Sequence, residues 1–316
     1  MDIQIAISSC LLGESVRFNG GHKHSHFCTD VLGQYFSFKP VCPEVGIGMG
    51  IPRPPIRLIA SSAGPQAVGV EDPTQNFTAP LTEYARQKSA ELAGISGYIL
   101  MQKSPSCGYE RVKLYRDNGY PADEAAMGIY AAEFARLNPL LPMEEAGRLN
   151  DAMLRENFIT RVFAYADWQA LQQTGLTKKT FLDFHVRYKY LMMAHHVATY
   201  QQLGQMVADL KSRPLADIAA DYFVVFMQGL KHLATRKKHS NVLYHLQGYL
   251  KEKINARQKQ ELNQHIEQYR KGLTPLVVPL TLLKSHLHEY PDTSAYVLGQ
   301  KYLDPHPYEL GLRNAI

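Results

Sequence analysis

Short apolar runs alternate with helical spacing through the first half of the chain. IQIAIS (3–8), FKPV (38–41), IRLIAS (56–61) and GYILMQ (97–102) have the length and composition of strands. TDVLGQYF (29–36), LTEYARQKSAELAGI (81–95) and MGIYAAEFARL (127–137) carry apolar residues at intervals of three and four and read as helices. Strand and helix in turn predict a parallel α/β sheet. The pattern changes across NPLLPMEEAGRLND (138–151), where Pro139 and Pro142 interrupt any helix. From RENFITRVFAYADWQALQQTG (155–175) onward the spacing is helical throughout. Thr177 predicts the N-cap of one helix over 177–204 with Gly204 as its stop, and Pro214, Gly272 and Pro275 punctuate later ones. The segment 240–272 reads as the longest helix. The expectation is an α/β N-terminal domain with a parallel sheet (1–145), followed by an all-α C-terminal domain (146–316).

A length of 316 residues and 45% hydrophobic content suffice for two cores. No run approaches the ~18 apolar residues of a membrane span. The opening MDIQIAISSC lacks the basic-then-apolar layout of a signal peptide, so a cytoplasmic protein is predicted. Four scattered cysteines are too few for a disulfide scaffold, which points to thiol chemistry or metal ligation. Charge is uneven. Residues 1–150 hold 13 basic and 15 acidic side chains, and residues 151–316 hold 21 and 14. A basic second half suggests an anionic partner such as nucleic acid.

Cys10, Cys42 and Cys107 each follow a predicted strand, in ISSCLLG, FKPVCPEVG and KSPSCGYE. The C-terminal ends of parallel strands share one edge, where such folds bind ligands. Three thiols 32 and 65 residues apart in sequence can therefore meet at one point. Pro43, Pro105 and Gly108 supply turns and close backbone approach, and nearby N–H groups can donate to sulfur. Three thiolates suit zinc completed by a further ligand or water, or a 4Fe-4S cluster with one iron left free. Spacing does not separate zinc from iron, and three unrelated buried thiols are the plain alternative. In GGHKHSHFC (20–28), alternating histidines and Cys28 advertise a metal site, but Cys28 opens a predicted helix instead of following a strand. Cys28 is read as a non-ligand, and His22 to His26 as a mobile or substrate-facing loop.

CLLGESVRFNGG (10–21), CPEVGIGMGIPRPP (42–55) and SPSCG (104–108) resemble, in order, the signature segments of the thiouracil desulfidase family. RENFI (155–159), YKYLMMAH (188–195), GYLK (248–251) and LGLRNAI (310–316) resemble the helical companion domain fused to it in many bacterial proteins. The resemblance implies a 4Fe-4S cluster held by Cys10, Cys42 and Cys107, whose fourth iron binds the substrate sulfur and removes it without net redox change. It also implies 4-thiouridine as substrate, either in tRNA or as the free nucleotide. Phe18-Asn19 departs from the Tyr-Asp frequent at that place.

Glu44, two residues after Cys42, matches the family's catalytic glutamate and is expected to serve as general acid or base from a hydrophobic metal pocket that raises its pKa. Ser104 matches a second active-site position and is expected to hydrogen-bond substrate or water, with an ordinary turn serine as the alternative. Ser8, Ser9 and Ser106 are weaker candidates for the same work. Arg17, Arg53 and Lys103 lie near the motifs and read first as solvated surface charges, second as contacts for phosphate or a uracil carbonyl. KHLATRKKHSN (231–241) and YLKEKINARQK (249–259) are basic stretches suited to tRNA phosphates, while helices that lid the cavity are the competing reading. His195 and His196 are assigned to packing. The first functional reading is a desulfidase acting on 4-thiouridine in tRNA; a thiouracil-type small molecule is the second substrate, and an iron–sulfur sensor or a zinc protein the alternative class.

Overall fold

The computed structural model describes residues 2–116 and 118–316, with residues 291–294 described for backbone only. The chain divides into two compact units, Met1–Asn150 and Asp151–Ile316.

In the first unit β1 (Ile3–Ser8) pairs in parallel with β2 (Phe36–Val41), with Ile3 opposite Phe36 and Ser8 opposite Val41. The short helix α1 (Pro43–Gly46) follows β2 after Cys42. β3 (Ile56–Ile59) and β4 (Gln66–Gly69) form an antiparallel hairpin, and α2 (Thr78–Glu91) follows. β5 (Tyr98–Leu100) pairs in parallel with the other side of β1. β6 (Val112–Tyr115) and β7 (Pro121–Ala126) make a second hairpin, α3 (Ile129–Leu137) packs on α2, and β8 (Met143–Glu145) pairs in parallel with β5. One sheet is therefore wholly parallel, ordered β2-β1-β5-β8, and a second, mixed sheet is ordered β4-β3-β6-β7.

Ile5, Ala6 and Ile7 of β1 and all of β5 are fully buried, as expected of parallel strands covered on both faces. The Tyr98 hydroxyl donates to that of Tyr130 on α3 at 3.2 Å, and the Tyr98 ring meets Phe134 edge-on at 5.1 Å. A polar group inside this core is thus satisfied by another.

Two expectations need correction here. IRLIAS is a strand but lies in the mixed sheet. The turn at Ser61–Gly64, closed by Ser61 Oγ donating to the Gly64 carbonyl, folds the chain straight back on itself. TDVLGQYF is not one helix. A π-turn (Phe27–Val31) and a 3-10 turn (Leu32–Gln34) take its place, because Phe36 must already stand in β2 opposite Ile3.

The second unit is entirely helical: α4 (Ala152–Thr174), α5 (Lys178–His195), α6 (Val197–Ala208), α7 (Leu215–Leu230), α8 (Arg236–Gln247), α9 (Ala256–Arg270), α10 (Val277–Glu289) and α11 (Pro291–Leu298). Thr177 caps α5 through a reciprocal box with Thr180. The predicted 177–204 helix nevertheless breaks at His196, which leaves helical dihedrals and accepts the Thr199 amide to start α6; Gly204 lies inside α6. The predicted 240–272 helix is also two. Residues 248–250 tighten into a 3-10 turn and Asn255 caps α9 afresh with Gln258, which leaves α4, at 23 residues, the longest helix among the described residues.

Trp168 on α4 stacks on Phe223 at 4.7 Å and meets Phe184 edge-on at 5.0 Å, at the centre of an aromatic core. His195 is buried, with Nδ1 2.7 Å from the His232 carbonyl, in keeping with a packing role. Glu156 is buried 3.6 Å from Arg313 Nε and 3.7 Å from His306 Nε2. Burial opposes its charge, but the hydrogen bond from His306 and the Arg313 charge outweigh it and hold the carboxyl well below the usual range. Burial also pushes His239 down to about 3, and burial with Lys189 pushes His185 down to about 4.

These shifts fix the sign of the acid response. A lowered histidine pKa means that the unfolded chain takes up protons first as pH falls below the ordinary value near 6.5, and a lowered carboxyl pKa acts in the same direction below about 4.5. Stability of the helical unit is therefore expected to fall between about pH 7 and pH 5, by roughly 1–2 kcal/mol for each of the two histidines. Denaturant titrations followed by Trp168, the single tryptophan, check this, since its fluorescence reports that unit alone.

Candidate functional site

The parallel register carries three strand ends to one edge. Ser8 ends β1 and the chain turns through a 3-10 element, Ser9–Leu12, that holds Cys10 and stops at Gly13 in the left-handed region (φ 92). Val41 ends β2, and Cys42 takes the N-cap position of α1, its carbonyl accepting the Gly46 amide at 2.9 Å. Leu100 ends β5, and the loop to Cys107 begins with the Met101 amide donating to Ser8 Oγ at 2.9 Å. Because β1 lies between β2 and β5, the three thiols line one cavity of about 510 Å³.

Cys10 and Cys107 are buried and Cys42 half-buried, and none forms a disulfide. Burial, then Cys42, pushes the Cys10 thiol up to about 11. Burial raises Cys42 too, partly offset by the Val45 and Glu44 amides directed at its sulfur. Burial, then Cys42, raises Cys107 well above an ordinary thiol. Three mutually repelling, desolvated sulfurs are stable as thiolates only against concentrated positive charge, which a metal centre supplies. Cys28 is buried in the π-turn and does not line this cavity.

Glu44 also lines the cavity, but its surroundings are not the hydrophobic pocket expected. Oε1 accepts from Ser106 Oγ at 2.8 Å, and Oε2 accepts from Arg53 Nε and Nη2 at 2.8 and 2.7 Å. Arg53 is likewise not a surface charge: it is 7% exposed, and Nη1 donates to the Gly50 carbonyl. Both carboxylate oxygens of Glu44 are thus engaged, which leaves the three thiols as the soft donor groups lining this cavity.

Ser104 Oγ accepts the amides of Ser106 (3.2 Å) and Cys107 (3.0 Å). Its lone pairs shape the cysteine turn, and only its hydroxyl proton is left to donate into the cavity. Sequence reasoning underrated Ser106, whose hydroxyl reaches Glu44 across 62 positions; an S-P-S-C-G string carries no sign of such a distant partner. The same loop is wedged against α3, where the Ile129 and Ala131 amides donate to the Pro105 and Ser106 carbonyls.

Arg17, Lys23 and Lys103 stand at the cavity with no carboxylate within 4 Å among the described residues. Arg17 lies over the Phe18 ring at 5.8 Å, and the Phe18 carbonyl accepts the Arg53 amide. Lys103 adopts a left-handed backbone (φ 59), unusual for a residue with a Cβ. Together these give a soft three-sulfur corner, one fixed carboxylate and a cationic rim.

Residues 5–146 match the family model described as 2-thiouracil desulfurase, and residues 189–307 match one described as a protein of unknown function, DUF1722. The uncharacterized protein YbgA of Escherichia coli (strain K12) is 35% identical over 164 residues, which cover 51% of this chain and 94% of that protein. The uncharacterized protein YbbK of Bacillus subtilis (strain 168) is 30% identical over 115 residues, covering 33% of this chain and 72% of that protein. The chain belongs to the 2-thiouracil desulfurase family. The matched segment of this desulfurase domain contains every residue that lines the cavity. Among solved structures, the 4Fe-4S-dependent thiouracil desulfidase TudS is similar at 26% identity, with a TM-score of 0.38 over 47% of this chain and 94% of that one.

Close packing behind the cysteine loop makes a sharp test. A Cβ added at Gly128 would lie 2.6 Å from the Ser106 backbone and 2.9 Å from the Pro105 carbonyl. Gly128→Ala is expected to cost about 1–3 kcal/mol and to displace Cys107. Circular dichroism in denaturant measures the first effect and the metal content of the purified variant the second.

Proposed function

We propose that the protein is a non-redox desulfidase that converts 4-thiouridine, preferentially in tRNA, to uridine and sulfide, with a 4Fe-4S cluster held by Cys10, Cys42 and Cys107. The convergence of these three thiols on a cavity that also holds a fixed carboxylate carries this reading. The desulfurase family supplies the reaction class. When bound, the cluster supplies a thiophilic Lewis acid at the iron left without a protein ligand.

The chain's own residues supply positioning and proton transfer. Arg53 and Ser106 hold the Glu44 carboxylate in one orientation. There it accepts one proton from water as the water oxygen bonds to the thiocarbonyl carbon; the C–S bond then breaks as the carbonyl forms, and the departing sulfide takes up that proton from Glu44 and the remaining hydroxyl proton of the adduct. Water and thiocarbonyl become carbonyl and hydrogen sulfide, with no electron gained or lost. Arg17, Lys23 and Lys103 meet the phosphate of a nucleotide at the rim.

The helical unit supports the tRNA preference. Arg236 and Lys237 are exposed in the first turn of α8, where the helix dipole disfavours cations, so helix stability does not account for them. Lys251 and Lys253 are exposed in the turn that follows. Contacts from such groups to RNA phosphates weaken steeply with salt. One observation favours the second reading, a free thionucleotide: the cavity volume is in the range that encloses small-molecule ligands whole.

Sulfide release and loss of the near-ultraviolet absorbance of 4-thiouridine, measured side by side on thiolated tRNA and on the free thionucleotide, separate these readings. Turnover of the nucleotide with none of tRNA overturns the preference. Cys10→Ala, Cys42→Ala and Cys107→Ala are each expected to lose cluster absorbance and activity, while Cys28→Ala keeps both. Glu44→Gln is expected to retain the cluster spectrum and lower kcat by roughly 10²–10⁴-fold.

A further inference from the structure

The histidine-rich segment after the Cys10 turn has an arrangement of its own. The Lys23 amide donates to the Cys10 carbonyl and the Ser25 amide to the Leu11 carbonyl, both at 2.9 Å, so the strip is pinned along that turn. In an extended strip alternate side chains share a side. The His24 and His26 rings accordingly lie 4.5 Å apart, both exposed. The π-turn that follows then brings Asp30 back beneath them, with Oδ2 3.0 Å from His26 Nδ1. One ligand atom each from His24, His26 and Asp30 fall within 4.8 Å of one another.

The supporting contacts orient these donors. Thr29 Oγ1 lies 3.0 Å from His24 Nε2 and donates to Asp30 Oδ1 at 2.7 Å, while the Thr29 amide donates to the Ser25 carbonyl. Such outer hydrogen bonds fix the direction of metal-ligating groups. Two imidazoles and a carboxylate suit zinc and its transition-metal neighbours, whereas magnesium and calcium prefer oxygen-only sets. Three protein donors also leave a position for water.

We propose that His24, His26 and Asp30 form a surface site for one divalent transition cation of the zinc class, distinct from the three-cysteine cavity. None of its donors is a thiol, and none lines that cavity. The site is linked to it by Lys23, which sits between two histidines in sequence and reaches the cavity rim. A bound cation tightens the loop that presents this lysine.

The test uses the full-length, untagged, cluster-containing protein titrated calorimetrically with zinc chloride, with zinc-edge X-ray absorption on the loaded sample. The expected result is one zinc per chain in a nitrogen/oxygen shell without sulfur. His24→Gln and Asp30→Ala should each weaken binding roughly tenfold or more, and the His24→Ala/His26→Ala double variant should abolish it. Cluster absorbance and circular dichroism verify that these exposed variants fold, and Cys28→Ala should bind zinc like the parent. Zinc bound with sulfur neighbours, equal binding by the double variant, or no zinc bound at all would overturn the proposal; in the last case His26 and Asp30 form only a surface ion pair.

Discussion

Parallel pairing of β1 with β2 on one side and β5 on the other is the constraint on which the desulfurase unit depends. It sets three strand ends level, and each end is followed at once by a turn that carries a cysteine. A slip of one residue in either pairing would exchange the side chains packed on the two faces of the sheet and move a thiol away from its partners. The buried run Ile5-Ala6-Ile7 therefore fixes the geometry of a site to which it contributes no side chain.

Around that edge, polar groups are satisfied by residues distant in sequence. Ser8 holds the start of the Cys107 loop, Ser104 holds its end, and Ser106 passes the loop's position on to Glu44, whose other oxygen is held by Arg53. The cavity couples the Glu44 carboxylate and the turn that carries Cys107 through a single hydroxyl. Motion of the cysteine turn would then be felt as motion of the carboxylate.

Much of this was legible in the sequence. The apolar runs marked β1, β2 and β5, and the position of each cysteine just after a run pointed to the shared edge. The strands β4, β6, β7 and β8 were not legible, because β7 (PADEAA) and β8 (MEE) lack strand composition and are held by neighbours, which propensity does not report. Arg53 was misread because a lone arginine among prolines looks solvated until Glu44 is placed beside it. In the helical half, local caps at His196 and Asn255 overrode a continuous apolar period. The histidine strip was read as a mobile or substrate-facing loop; the meeting of His24 and His26 with Asp30 depends on a π-turn that no periodicity announces.

Lys103 has a further consequence. A left-handed backbone is free for glycine, but costs a residue with a Cβ about 1 kcal/mol or more. Lys103 and Arg111 (φ 24) both give up folding stability in this way, and Lys103 does so where it lines the cavity. Selection for stability alone would favour glycine here, and selection for an anionic ligand would favour lysine, so the residue found at 103 in any relative is a readout of which pressure has governed that protein.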